Sequence, residues 1–226
     1  MDNIIDNIID NIISIANKIN KIDNNPFFKH LITNNTVETR KLFYISLEHF
    51  GLAVNEWSKI LGILISLVPT YRERRIILKN LCDENVQNPH TETFNDFLIL
   101  CKSNIDNNTA SKKSNLSSEK YVNDFISNMY NLFNSSNLNF IVSALGMIEL
   151  TYIDVSKNIH NYVANFIDSN NIPHFLLHEI LDISHAQDLF SLIINIDDPN
   201  VVNGIMKGYE ILNEFFEILF IDILSK

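Results

Sequence analysis

The sequence contains little glycine and proline, with 5 of each among 226 residues. An antiparallel sandwich or barrel needs turn residues about every ten positions, so this shortage argues against an all-β fold. The glycine-rich motifs that bind nucleotide phosphates, G-x-G-x-x-G and G-x-x-x-x-G-K-[ST], do not occur in the sequence. The low glycine and proline content favours helices.

Cysteine is also scarce, with Cys82 and Cys101 the two in the chain. They provide neither a disulfide framework nor a C-x-x-C pair. No basic stretch followed by an apolar segment opens the sequence, because acidic residues interrupt its first ten positions. The longest apolar run, at 60–69, is too short to span a bilayer. We therefore expect a soluble cytoplasmic protein without a membrane partner.

Positive charge is in short supply, since the chain has 17 Lys and Arg against 27 Asp and Glu. A surface that follows nucleic-acid phosphates needs clustered basic residues. The two basic groups, at 72–75 and 112–113, are small, and the first alternates with Glu73 in a helical pattern. The sequence therefore predicts no nucleic-acid partner.

Apolar residues make up 46% of the chain, enough for one large domain with a packed core, and we expect a single domain over 1–226. The first 22 residues contain a DNII repeat that places Ile4, Ile8 and Ile12 on one stripe of an amphipathic helix. This helix could bind a membrane surface or a partner. Its acidic polar face argues against anionic lipid, and we expect it to pack on the domain.

Helical patterns cover most of the chain, and no segment shows sustained alternation of apolar and polar residues. Residues 103–118 are rich in Asn, Ser and Lys and indicate a polar linker. The fold class predicted is all-α, a bundle-like arrangement of seven to nine helices. The predicted helices cover 36–52, 55–67, 70–84, 90–102, 117–133, 137–166, 173–194 and a last one from Pro199.

The segment with the clearest chemical signal contains His178, Asp182 and His185, spaced i, i+4 and i+7. On a helix these side chains lie within about 60° of one another. A solvated polar face is the alternative interpretation, but aliphatic neighbours leave little exposed surface. A buried Asp must be paired or bound to a metal, because an isolated buried charge is costly. The aliphatic neighbours are Leu177, Ile180, Leu181 and Ile183.

Metal sites in helical bundles take carboxylates from several helices. Glu149 lies among small and apolar residues, where it binds either a metal or an inter-helix salt-bridge partner. Glu84 and His90 are six residues apart, and Pro89 between them allows the chain to bend so that both reach one centre. A surface Glu and a histidine at a helix start are common, so this pair alone is weak evidence.

The order of these motifs resembles the haem-oxygenase-like dimetal oxidases and oxygenases, over nearly the whole chain. Within that superfamily it is most similar to the CADD-type para-aminobenzoate synthases, with TenA and PqqC proteins as more distant structural relatives. The resemblance implies a haem-oxygenase-like bundle of about seven core helices, a homodimer, and a second metal bound loosely without substrate. The metal ligands that it implies are Glu84, His90, Glu149, His178, Asp182 and His185.

The same resemblance implies an O2-dependent oxidoreductase with two Fe(II) ions, or one iron and one manganese, acting on a small amino-acid-, amine- or fatty-acid-like substrate. Three His and three carboxylates suit iron or manganese better than copper(I). Glu84 or Glu149 would bridge the ions and take part in catalysis. Polar residues of helices expected to line the core are candidate substrate-binding groups, namely Glu48, His49 and Tyr152.

The chain departs from the pattern of the family it resembles at two points. The spacing from Glu84 to His90 is one residue shorter than in the family. The para-aminobenzoate synthases consume their own tyrosine, where this chain has Phe28, and Tyr44 does not align with that tyrosine. An external substrate is therefore favoured, with a CADD-type synthase as the alternative.

Two further alternatives are of different classes. A metal-free TenA-like enzyme would use Cys82 or Cys101 as its nucleophile. A non-enzymatic interaction protein would instead use its acidic helical surface and the DNII helix to bind a partner.

Overall fold

The computed structural model describes residues 2–87, 89–104, 117–168 and 173–225, and the described residues form helices and no strands. The fold class is therefore all-α, as predicted. The α-helices are α1 (Asp2–Ile19), α2 (Pro26–Thr33), α3 (Val37–Leu67), α4 (Tyr71–Cys82), α5 (His90–Asn104), α6 (Ser117–Asn131), α7 (Leu138–Val163), α8 (Pro173–Phe190) and α9 (Pro199–Leu219).

Helix α7 is the centre of the bundle, because most of its residues are buried and it packs along both α8 and α9. The approach of α9 is close enough to require glycine. A Cβ atom at Gly204 or Gly208 would overlap the backbone carbonyl of Phe140 or Ala144 on α7. Small residues thus set the separation of these two helices.

Several helices begin where the sequence supplies a capping side chain. Thr70 and Glu73 form a reciprocal capping box at the start of α4, with N–O distances of 3.2 and 3.0 Å. Asp198 accepts from the backbone N–H of Asn200 at 2.9 Å, and Pro199 occupies the first turn of α9. These local signals agree with the predicted starts.

Helix α3 corrects one prediction, because it runs unbroken through 51–55, where two separate helices were expected. Gly51 does not end a helix here. A Cβ atom at Gly51 would lie 2.8 Å from Cε1 of Phe94 on α5, so this glycine allows the two helices to approach. A second difference is a π-helical turn at Asp83–Gln87, which follows α4 directly. The expected linker lies largely at 105–116, outside the described residues.

Helix α1 packs on the domain through a small apolar cluster of its own. Ile12 and Ala16 are fully buried against Met147 of α7, Phe190 of α8 and Ile205 of α9. The predicted stripe is therefore buried at Ile12, whereas the side chains of the first eight residues lie outside the described part of the chain.

Within the part of the chain that the structure describes, α3 and α7 are long and apolar enough to cross a membrane by length and composition alone. In the most apolar stretch of α7, 83% of the residues are buried within the bundle, as expected for a core helix. In that of α3, 28% of the residues are buried. The absence of a membrane partner and a cytoplasmic location both stay predictions.

The close contact between α7 and α9 gives a stability prediction. We expect Gly208→Ala to lower the free energy of unfolding by about 1–3 kcal/mol, because the added Cβ must push the two helices apart. Gly62→Ala is the matched control, since nothing lies within 4 Å of a Cβ there, and we expect it to stabilise α3 by about 0.5–1 kcal/mol. Urea unfolding of both variants tests this, and equal effects would contradict the packing argument.

Candidate metal centre

Four elements supply the polar residues of the site. The π-helical turn carries Glu84, α5 begins with His90, α7 carries Glu149, and α8 supplies the three residues of its histidine–aspartate motif. A π turn adds one residue to the helical turn and often marks a functional position. All six predicted ligands are buried, with no more than 6% of any of them exposed.

Helix α8 turns its polar stripe inward, although not for the reason the sequence suggested. His178, Asp182 and His185 are buried, as expected. Ile180 and Ile183, which were taken as evidence that no exposed face remained, are themselves 71% and 48% exposed. The helix therefore buries its histidines and carboxylate and leaves some aliphatic side chains on the outside.

The imidazole of His185 lies at the middle of the site. Its Nδ1 atom lies 3.6 Å from Oε1 of Glu84, 3.8 Å from Oε1 of Glu149 and 3.9 Å from Oδ1 of Asp182. These separations are too long for hydrogen bonds. Glu84, Glu149 and His185 form a buried group whose donor atoms all lie within 4.8 Å of one another, and such a group can hold a metal ion.

Asp83 decides which nitrogen of His185 faces this group. The Nε2 atom lies 3.3 Å from Oδ2 of Asp83, within hydrogen-bond distance. A hydrogen bond from Nε2 to this carboxylate would leave Nδ1 of a neutral ring with a lone pair to offer. This carboxylate–histidine pair is the arrangement that commonly supports metal-binding histidines. Nδ1 itself faces three carboxylate groups.

The other predicted ligands adjoin this group. His90 Nδ1 lies 2.6 Å from Oε2 of Glu84, although neither ring nitrogen of His90 forms a hydrogen bond of good geometry. His178 Nδ1 contacts both oxygens of Asp182 at 2.9 and 3.1 Å, and its ring centre lies 4.3 Å from that of His90. The structure thus brings all six together, with three in the compact group and three beside it.

Burial and like charge dominate the electrostatics. Burial, with the nearby carboxylates of Asp182 and Glu84, raises the pKa of Glu149 well above its usual value. Burial and Glu84 likewise raise the pKa of Asp182. Burial and neighbouring His90 lower the pKa of His178 to about 3, so this imidazole is neutral at pH 7. Without a metal, the site therefore disfavours the ionised forms of Glu149 and Asp182 and the protonated form of His178.

No lysine or arginine of the described residues balances these carboxylates, because the ion-pair contacts of Asp83, Glu84, Glu149 and Asp182 are all with histidine. Buried carboxylates in this arrangement need protons or cations close by.

A cavity of about 60 Å³ adjoins the site. Of the three predicted substrate-binding residues, Tyr152 lines it, with its ring centre 4.8 Å from that of His178. Glu48 is exposed and accepts a hydrogen bond from Tyr44 at 2.6 Å, and His49 stacks edge-on against Tyr121. Neither Glu48 nor His49 lines the cavity.

Three residues of the site were missed by the sequence analysis: Asp83, Trp57 and His174. The indole N–H of Trp57 donates to Oε1 of Glu149 at 3.1 Å. His174 is fully buried one turn before His178, and its Nδ1 lies 2.9 Å from Oγ1 of Thr93. The spacing of His174 to the α8 motif was a usable signal, whereas nothing local marked Trp57.

The residues on which the rival interpretations depend lie away from the cavity. Phe28 is buried in an aromatic cluster with Phe27 and Phe216, and neither it nor Tyr44 lines the cavity. Cys82 is exposed, and burial raises the pKa of the Cys101 thiol to about 12. A thiol with so high a pKa is a poor nucleophile.

Comparison of the chain with models of known protein families finds no match, and comparison with curated proteins finds none either.

The raised pKa values predict how the stability of the metal-free protein depends on pH. A carboxyl group whose pKa is higher in the folded state contributes stability below its unfolded pKa, near 4.5, and loses that contribution as the pH rises towards the folded value. His178 acts oppositely, between about pH 3 and 6.5. We expect each such carboxyl group to lower the unfolding free energy as the pH rises above about 4.5, by up to about 1.4 kcal/mol per pH unit.

Glu149→Gln should make this dependence shallower, because the amide does not titrate. Glu214→Gln, at an exposed position of α9, is the control and should leave it unchanged. Urea unfolding in the presence of a chelator at pH 5, 6, 7 and 8 provides the measurement. The same slope in Glu149→Gln as in the unmodified protein would contradict the electrostatic account.

The role of Asp83 predicts a loss of metal affinity. In Asp83→Asn the amide can donate to Nε2 of His185 and so favour the tautomer whose Nδ1 is protonated. We expect the affinity for Co(II) or Mn(II) to fall about 10–100-fold. Asp188→Asn is the control, because Asp188 pairs with Lys79 at the surface of α8 at 2.7 Å. Equal affinities of the two variants in an ion titration would count against the Asp83–His185 pair.

Proposed function

We propose that the chain is a non-haem dimetal oxidoreductase that uses O2 to oxidise a small substrate. The observation that carries the proposal is the position of His185 Nδ1, a buried atom without a hydrogen bond that faces three buried carboxylates at 3.6–3.9 Å. Donor atoms around an ion bound at about 2.0–2.2 Å lie roughly 3–3.5 Å apart, close to these separations. A cation among these atoms would relieve both the lone-pair contact and the carboxylate repulsion.

The donor set fits iron or manganese. Carboxylate oxygens and imidazole nitrogens are hard to borderline ligands, and the predicted set contains no thiolate or thioether. Buried polar atoms without a hydrogen bond, such as Oε1 of Glu84 and Nδ1 of His185, are the atoms that would bind. Two Fe(II) ions, or iron with manganese, would supply electrons for the reduction of O2.

The residues of the chain would position and shield this chemistry. Trp57 donates to Oε1 of Glu149, the oxygen that faces His185, and so orients this carboxylate. Asp83 orients the ring of His185, and Asp182 orients that of His178. The aromatic and aliphatic residues of the cavity would exclude water, which strengthens every electrostatic interaction inside. Glu84 and Glu149, next to the cavity, are the proposed bridging and catalytic carboxylates.

The resemblance to the haem-oxygenase-like dimetal oxidases supports the same proposal. That family would add a homodimer and an external amino-acid-, amine- or fatty-acid-like substrate. A TenA-like reaction is less well supported, because neither Cys82 nor Cys101 lines the cavity. Self-sacrifice of a tyrosine is also less well supported, since Tyr44 lies away from the cavity and hydrogen-bonds to Glu48.

Anaerobic loading with Fe(II), followed by removal of unbound ion and metal analysis, tests the proposal. We expect two ions per chain, and consumption of O2 when it is admitted. Glu149→Gln should bind at least one ion fewer, because its carboxylate is among the donors. Glu214→Gln should bind both. A protein that retains no iron and consumes no O2 would instead favour the non-enzymatic interaction protein.

A further inference from the structure

The cavity beside the site is divided into a polar end and an apolar wall. The donors come from the π-helical turn, α5, α7 and α8, whereas α3, α6 and α9 supply apolar side chains together with part of α7. The polar end contains Glu84, His90, Glu149 and His178. The wall consists of Phe50, Ala53, Val54, Trp57, Phe125, Met129, Ile148, Tyr152 and Leu212.

The wall offers no charged group to a ligand. Its polar atoms are the phenol oxygen of Tyr152 and the indole N–H of Trp57, and the indole N–H is already bonded to Glu149. Phe50 and Phe125 both pack against Phe215, so this side of the wall is built from aromatic rings. A charge that entered this part of the cavity would lose its water without gaining a partner, which is costly.

We propose that the cavity takes a small molecule with one polar head group and an uncharged apolar body. The head group binds at the polar end, and the alkyl or aryl body lies against the wall that α3, α6 and α9 provide. Compounds charged at both ends, such as diamines, dicarboxylates and lysine-like amino acids, are excluded. This inference rests on the proposed function, because it assigns the carboxylates of Glu84 and Glu149 to metal ions.

Matched ligands test the inference on the Fe(II)-loaded protein under anaerobic conditions. The probes are hexanoate, 6-aminohexanoate and adipate, which share one chain and differ in the charge at the far end. Parallel sets with four and eight carbons are included, since a cavity of about 60 Å³ favours the shorter bodies. Trp57, the single tryptophan of the chain, lines the cavity, so its fluorescence reports occupation.

We expect the monocarboxylate of the best length to bind at least about tenfold more tightly than either doubly charged partner. Equal or tighter binding of 6-aminohexanoate or adipate would overturn the inference. Failure of all the monocarboxylates to bind would overturn it as well.

Two methionines offer a matched pair of variants. Met129 is buried in the wall on α6, whereas Met206 on α9 is 46% exposed. Met129→Glu places a carboxylate beside the far end of the ligand. We therefore expect the ratio of the affinities for hexanoate and 6-aminohexanoate to fall by at least about tenfold. Met206→Glu should leave the preference unchanged. A folded Met129→Glu protein with an unaltered preference would contradict the placement of the ligand's apolar body against α6. If this variant does not fold, the ligand preference of the unmodified protein tests the inference.

Failure of the inference and failure of the proposed function are distinguishable on the same samples. The metal content tests the function, whereas the ligand preference tests the cavity. If no iron binds, 1-hexanol and 6-amino-1-hexanol replace the acids, because neither has a head group that needs a metal. Tighter binding of the amino alcohol to the metal-free protein would overturn the inference, and tighter binding of hexanol would support it.

Discussion

The contact on which the rest of the structure depends is that between the imidazole of His185 and the carboxylates around it. Three buried carboxylate oxygens each lie less than 4 Å from Nδ1 of His185, and no lysine or arginine of the described residues pairs with them. Such an arrangement is unfavourable unless protons or cations occupy it. The site therefore lowers the free energy of unfolding of the metal-free protein, and a bound cation would restore it.

The bundle holds this unfavourable group by converging four elements on it. Helix α7 brings Glu149 from the centre of the core, α8 turns its polar stripe inward, and the π-helical turn after α4 presents Asp83 and Glu84 together. On the opposite side of the cavity, α3, α6 and α9 contribute aromatic and aliphatic side chains that shield this group from water. The polar residues and the apolar wall thus belong largely to different helices, as the proposed binding of ions at one end and of an apolar group at the other requires.

Much of this was predictable from the sequence, and the failures have physical causes. The all-α fold follows from helical periodicity, and the i, i+4, i+7 spacing placed the residues of the α8 motif on one face. Neighbouring isoleucines were a poor guide to burial, because Ile180 and Ile183 are exposed. Trp57 reaches Glu149 across 92 positions of sequence, and no local pattern reports such a contact. Glu48 was expected to bind substrate but is exposed and does not line the cavity, because the helical pattern alone does not tell which helix packs against that face.

Anomalous diffraction at the iron edge from crystals of the Fe(II)-loaded protein would test the central claim most directly. The account predicts two peaks per chain, one among Glu84, Glu149 and His185 and the second bounded by His90, His178 and Asp182. Crystals with no peak at these residues, or with iron only at the protein surface, would contradict the account. The buried carboxylates would then be neutralised by protons alone.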